Sequence, residues 1–73
     1  MAQVKAHITG TVWKIEVKVG DAVAEGQTVV VLESMKMEMP VESPSAGQVS
    51  AVLVKERQSV EEGAPLVELT AGP

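Results

Sequence analysis

An internal repeat is the feature that most limits how this chain of 73 residues can fold. Residues 4–33 align without a gap with residues 41–70, so the second copy follows the first at an offset of 37 positions (41 − 4). The identical pairs include glycines as well as valines: Val4/Val41, Gly10/Gly47, Val12/Val49, Val17/Val54, Lys18/Lys55, Val23/Val60, Glu25/Glu62, Gly26/Gly63, Val30/Val67 and Leu32/Leu69. Two copies are too few for a solenoid, which needs at least about three. They predict a pseudo-two-fold domain in which each half completes the core of the other.

The abundance of valine predicts that each copy forms strands. Valine is stiff at χ1 and suits a pleated surface better than a helix. Short alternating runs separated by glycine turns predict strands at 4–8, 11–17, 28–32, 41–43, 48–54 and 66–69, with two very short strands near Val23 and Val60. In the second run we expect Trp13, Ile15 and Val17 to face the core. Eight short strands predict an all-β domain, a small antiparallel sandwich or flattened barrel.

Composition excludes several classes of function. The chain has no cysteine and a single histidine, His7, so a disulfide framework, a cysteine nucleophile and an ordinary zinc site are excluded. The formal net charge of −4 disfavours binding to a nucleic-acid backbone. No apolar run is long enough to span a membrane and no signal peptide is evident, so we expect a cytoplasmic protein. We expect one domain over residues 1–73, too short to build its own catalytic cleft, which favours a carrier over an enzyme.

The segment 28–43, where the two copies meet, breaks the local rules. It consists of the connector 34–40 and the adjoining ends of both copies. It contains no Gly, Asn or Asp and is too long for one strand, so it predicts either a short helix over 33–39 or a hairpin with its tip at Met35-Lys36. The repeat favours the hairpin because Val41 must begin a strand as Val4 does. Pro40 also opposes a helix and belongs on an edge strand or at a bulge. A tight hairpin favours Asn-Gly at its tip, where φ is positive, so a wider loop stays open as an alternative.

The methionines of this segment predict a contact surface. Met35, Met37 and Met39 surround Lys36, which is the only basic residue between Lys18 and Lys55. Methionines usually fill a core or form an adaptable surface, and residues at a hairpin tip cannot be core. We therefore interpret them as a surface for a partner protein.

The run Glu33-Ser34-Met35-Lys36-Met37-Glu38-Met39-Pro40 resembles the biotinylation motif of biotin carboxyl carrier domains. The resemblance covers nearly the whole chain, including Gly10-Thr11-Val12, Val19-Gly20-Asp21 and Gly47-x-Val49. The chain is similar to single-domain biotin/lipoyl attachment proteins and to the carrier domains of acyl-CoA and pyruvate carboxylases. It lacks the "thumb" insertion of some bacterial carriers. Arg57-Gln58 also stands where family members often keep Gly-Asp, which puts the tightness of the second turn in doubt.

The resemblance implies a barrel-sandwich hybrid of two four-stranded antiparallel sheets with a modified lysine on a protruding hairpin. It implies that a biotin protein ligase attaches biotin covalently to Lys36, and that the flanking Met35 and Met37 are recognised, in the motif context of Glu33, Ser34 and Glu38. It assigns no catalytic residue and no metal ligand. The implied role is a non-catalytic carrier that moves a carboxyl group between the biotin carboxylase and carboxyltransferase active sites, without nucleic-acid, membrane or metal partners.

Three other functions stay open from the sequence. A lipoyl carrier of a 2-oxo acid dehydrogenase or glycine cleavage system has a similar fold, but it usually carries Asp before the lysine and Ala or Val after it. A dual attachment protein would accept lipoate as well as biotin. An interaction domain of the same barrel type, as in membrane fusion proteins, would leave Lys36 without a role.

Overall fold

Residues 2–70 are described by the computed structural model, and they form eight strands in two four-stranded antiparallel sheets. The first sheet has the strand order β1-β8-β6-β3, and the second has the order β5-β4-β2-β7. The strands are β1 (Ala2–Lys5), β2 (Gly10–Ile15), β3 (Ala22–Val23), β4 (Thr28–Ser34), β5 (Met37–Glu42), β6 (Gly47–Val52), β7 (Ser59–Val60) and β8 (Pro65–Thr70). The predicted all-β architecture is confirmed.

The repeat in the sequence is a repeat in the structure. Adding 37 to the bounds of β2 and β3 gives the bounds of β6 and β7. The two sheets have corresponding strand orders, because each strand of one sheet has its repeat equivalent at the same place in the other. The irregular positions correspond too: Trp13 is the extra residue of a β-bulge in β2, and Ser50 is the extra residue in β6. The two halves therefore share one backbone design.

The core lies between the sheets and consists of small aliphatic side chains. Six side chains are completely buried, and they come from three of the four long strands that face each other: Val12, Val29, Val30, Leu32, Leu66 and Val67. Burying one such side chain stabilises the folded chain by roughly 1.5–3 kcal/mol. Because valines are short, the two sheets must lie close together for these contacts to form.

Two glycines allow neighbouring strands within each sheet to lie close together. A Cβ atom on Gly10 would lie 2.6 Å from the carbonyl oxygen of Glu33, and one on Gly47 would lie 2.5 Å from the carbonyl oxygen of Thr70. Both distances are too short for real atoms, and both obstructing atoms belong to backbone. The two glycines are repeat equivalents, as are the two residues they approach, so this requirement explains why Gly10 and Gly47 match in the sequence.

The orientation expected for Trp13 is wrong. Its side chain is 52% exposed, whereas Val12 is completely buried. The cause is the bulge, which inserts Trp13 as an extra residue between Val12 and Lys14 and shifts the alternation of the strand. Ile15 and Val17 still face inward, as predicted. His7 is exposed and follows β1, so it lies outside any strand, although a strand is predicted over 4–8.

The second turn, which Arg57 puts in doubt, is as tight as the first. The amide of Gly20 donates to the carbonyl of Val49 at 2.8 Å, and the amide of Arg57 donates to the carbonyl of Val12 at 2.6 Å. Gly20 has φ of 97°, and Arg57 has φ of 73°. Arginine therefore occupies a left-handed conformation that glycine adopts in the other half.

A polar side chain closes each of these turns. The amide of Lys18 donates to Oδ2 of Asp21 at 3.0 Å, and the amide of Lys55 donates to Oε1 of Gln58 at 3.0 Å. Gln58 thus replaces Asp21 as the acceptor with a longer side chain. The departure from Gly-Asp changes the residues but keeps the hydrogen bonds.

The left-handed conformation at Arg57 leads to a prediction about stability. An L-residue in this region costs about 1–2 kcal/mol, and glycine recovers part of that at an entropic cost of roughly 0.5–1 kcal/mol. We expect Arg57→Gly to raise the free energy of unfolding by up to about 1 kcal/mol, measured by urea unfolding. The matched variant Gly20→Arg should lower it by about 1 kcal/mol. Equal stability of both variants and the parent chain would contradict the assignment of strain.

Candidate functional site

A tight hairpin joins the two halves of the chain. Strands β4 and β5 pair from Thr28↔Glu42 to Ser34↔Met37, which leaves only Met35 and Lys36 in the turn. Met35 has φ of 53° and Lys36 has φ of 64°. Positive φ at both central residues is the signature of a type I′ turn. The predicted hairpin is confirmed, and both the helix and the wider loop are wrong.

The two turn residues stand in solvent. Met35 is 91% exposed, Met37 is 60% exposed, and Lys36 is also exposed. Within residues 2–70 one ion pair forms, between Lys14 and Glu16, so the Lys36 ammonium is not held by any described carboxylate. The tip therefore presents a free primary amine between two apolar side chains.

The third methionine of the segment plays a different part. Met39 is only partly exposed, and it precedes the buried Val41 on the same face of β5. The predicted methionine surface therefore consists of Met35 and Met37. Pro40, on the opposite face, lies in an edge strand as its missing N–H requires.

Two glutamates face each other just behind the tip. Glu33 and Glu38 are directly opposite in the strand pairing, and both are exposed. Like charges at such positions are destabilising. Ser34, which pairs with Met37, is partly buried. All these residues belong to one motif in the sequence, but the pairing of the glutamates can be deduced only once the turn is known to contain two residues.

The chemistry available at this site is that of a single amine. A lysine side chain is protonated near neutral pH and becomes a nucleophile only when a base removes a proton. Among the described residues, no three His, Cys, Asp or Glu side chains are grouped so that they could hold a metal ion. In residues 2–70 there is also no helix long and apolar enough to cross a membrane. The arrangement suits a site that a partner enzyme modifies.

Comparison with known proteins finds relatives over nearly the whole chain. A family model described as "Biotin-requiring enzyme", for biotin and lipoyl domains, matches residues 1–69. A biotin/lipoyl attachment protein of Bacillus subtilis (strain 168) is 45% identical over 67 residues, which are 92% of this chain and 92% of that protein. The biotin carboxyl carrier protein of acetyl-CoA carboxylase from Solanum lycopersicum is 47% identical over 90% of this chain and 94% of its own length.

A solved structure has the same fold. The urea carboxylase of Kluyveromyces lactis superposes with a TM-score of 0.89 and 33% sequence identity. The superposition covers 94% of this chain but only 6% of that protein. The chain thus corresponds to nearly the whole of two small relatives and to a small part of a large carboxylase.

The backbone of the turn leads to a prediction that concerns stability alone. Asparagine tolerates positive φ better than methionine does, and strained non-glycine residues cost about 1–3 kcal/mol each. We expect Met35→Asn to raise the free energy of unfolding by about 1 kcal/mol in urea titrations. Met37→Asn is the matched control, because Met37 lies in a strand and should gain nothing. A gain in the control as large as that at Met35 would contradict the explanation.

Proposed function

The chain belongs to the family of biotin and lipoyl attachment domains, and on that premise we propose that it is a biotin carboxyl carrier with biotin attached to Lys36. The observation that supports this most directly is the place of Lys36 in the hairpin. It is an exposed amine in a two-residue turn, between the exposed Met35 and Met37. The other lysines of the chain have no comparable setting.

The Lys36 side chain fits the attachment of biotin through an amide. No described residue forms an ion pair with its ammonium, so modification breaks no ion pair within residues 2–70. The turn is exposed, so a ligase can approach it. Biotin, when bound there, would supply the atom that accepts and releases a carboxyl group.

The partner enzyme must provide the activation that this chain lacks. The ligase removes a proton from the ammonium and supplies biotin whose own carboxyl group is activated. The Nζ atom attacks the carboxyl carbon to form a tetrahedral centre. That centre collapses to an amide as the leaving group departs with the electron pair of its bond and the nitrogen loses its second proton. The modification removes one positive charge, so the formal net charge changes from −4 to −5.

The strands behind the tip give the arm a firm base. Six residue pairs connect β4 and β5, so the hairpin keeps its shape while the lysine side chain moves. Lysine and biotin together reach roughly 14 Å from Cα when extended, from about eleven bonds of ~1.5 Å shortened by zigzag. Such an arm suits a non-catalytic component that serves a biotin carboxylase site and a carboxyltransferase site. A cytoplasmic location is part of the same proposal.

The first functional prediction is that a biotin protein ligase modifies one lysine. Only Lys36 lies in the turn and has flanking methionines. We therefore expect the mass of the intact protein to increase by one biotinyl group, and we expect peptide mapping to locate that group on Lys36. Lys36→Arg should abolish the modification, and Lys18→Arg should leave it unchanged as the matched control. Biotin on Lys5, Lys14, Lys18 or Lys55 of the parent chain would contradict the assignment.

The second functional prediction concerns the choice between biotin and lipoate. The flanking residues here are methionines, whereas lipoyl domains usually have Asp before the lysine and Ala or Val after it. An altered apolar contact is worth about 1–3 kcal/mol, so we expect Met35→Asp with Met37→Ala to lower the ratio of biotin to lipoate attachment at least about tenfold.

Competition between a biotin ligase and a lipoate ligase would measure this ratio. The folded state should survive because both side chains lie outside the core, and thermal unfolding of the same variant checks this. An unchanged ratio would show that the ligases distinguish carriers by another part of the surface.

A further inference from the structure

The repeat provides an internal comparison of two surfaces built on the same backbone. On the outer face of the second sheet, Val31 pairs with Pro40 of β5 and with Lys14 of β2, next to the bulged Trp13. Trp13 is 52% exposed, Pro40 is exposed and Val31 is partly exposed. We call the row of Trp13, Val31 and Pro40 the tryptophan stripe.

The equivalent row on the first sheet is polar. Positions 37 residues later or earlier are occupied by Ser50, Glu68 and Gln3, in the same pairing and with the same bulge. Gln3 Nε2 donates to Oε2 of Glu68 at 3.2 Å, and Ser50 Oγ donates to the carbonyl of Glu68 at 3.2 Å. The same backbone therefore accommodates polar side chains at these positions on the first sheet, which favours a role for the apolar residues of the tryptophan stripe other than folding.

Acidic side chains lie between the tryptophan stripe and the hairpin tip, and Lys14, which pairs with Val31, forms an ion pair with Glu16 at 3.4 Å. Glu33 and Glu38 form the next row toward the tip, and Glu42 follows Pro40 at alternate position on β5. From Val31 to Met35 there are four residues, which span about 14 Å at ~3.4 Å per residue. A protein that holds the tip can therefore also cover the stripe.

We propose that the tryptophan stripe is a docking surface for the biotin protein ligase, which we expect to offer an apolar pocket with a basic rim. The proposal rests on the proposed function. The unmodified lysine side chain reaches only about 6 Å from its Cα, so the ligase has to lie against the hairpin, and a protein in that position can also contact the sheet behind it. Later partners meet an arm more than twice as long, so they can reach biotin from farther away. Tryptophan in an apolar pocket is a common binding hot spot, and the glutamates complement basic groups.

Kinetics of biotin attachment test the proposal with side chains taken from the first sheet. The variant Trp13→Ser with Val31→Glu carries the residues that the equivalent positions already accommodate, so it should fold. We expect KM for the carrier to rise at least tenfold with a much smaller change in kcat, since uniform binding is lost. Ser50→Ala, on the equivalent face of the other sheet, is the matched control and should keep the KM of the parent chain. Thermal unfolding verifies the folded state of each variant.

A second measurement uses the unaltered surface. Trp13 is the only tryptophan of the chain, so carrier grown with 5-fluorotryptophan gives one fluorine NMR signal. We expect that signal to shift or broaden when unlabelled ligase is added, and to do so equally in Lys36→Arg, where no reaction follows.

Three results would overturn the proposal. The first is an unchanged KM in the double variant, and the second is an unchanged fluorine signal when ligase is bound. The third is a concentration-dependent dimer of the carrier that Trp13→Ser abolishes, which would assign the stripe to a second copy of this chain. If the ligase attaches no biotin to the parent chain, the proposed function itself is wrong. That outcome is distinct from normal biotin attachment that does not depend on the residues of the tryptophan stripe.

Discussion

The packing of two small sheets against each other is the interaction on which the rest of the structure depends. The chain has no cysteine to cross-link and no large aromatic side chain in its core. Neither sheet can bury its valines alone, because each has only two long inner strands and two-residue strands at one edge. The completely buried Val12 and Val30 on one sheet need Leu66 and Val67 on the other. Without the contact between the two sheets, their buried side chains would be exposed to water and neither sheet would be stable.

The strained hairpin exists because this packing holds its base. Met35 and Lys36 both adopt positive φ, which non-glycine residues adopt only when their surroundings determine it. Those surroundings are the paired strands β4 and β5, whose inner residues Val30, Leu32 and Val41 are buried. The free energy gained by burying the core thus offsets the cost of the strained conformation at the tip. A sequence better suited to this turn would have Asn-Gly at positions 35–36, and the turn would then contain no lysine.

The sequence predicted the general fold well because the repeat and the valine pattern record burial directly. It predicted the hairpin because Val41 and Pro40 restrict what can precede them. It did not predict the bulge at Trp13, since an extra residue leaves no mark on a short alternating run and tryptophan alone suggests burial. It also did not establish that Arg57 could replace a glycine. The cost of that backbone conformation is offset by hydrogen bonds with residues distant in the chain, such as the one that the Arg57 amide donates to the carbonyl of Val12. At the candidate site, the residue types were evident, but the pairing of Glu33 with Glu38 depended on the length of the turn.

The position of β5 at the edge of its sheet has a consequence for self-association. An edge strand exposes backbone groups that can pair with another molecule, and here the strand leads directly from an exposed apolar tip. Pro40 removes one backbone donor from that edge, and the glutamates on either side of it, Glu38 and Glu42, would repel the same strand of a second molecule. The strand that begins at the exposed Met37 therefore carries, within its own six residues, features that oppose the pairing of two copies through β-strand addition.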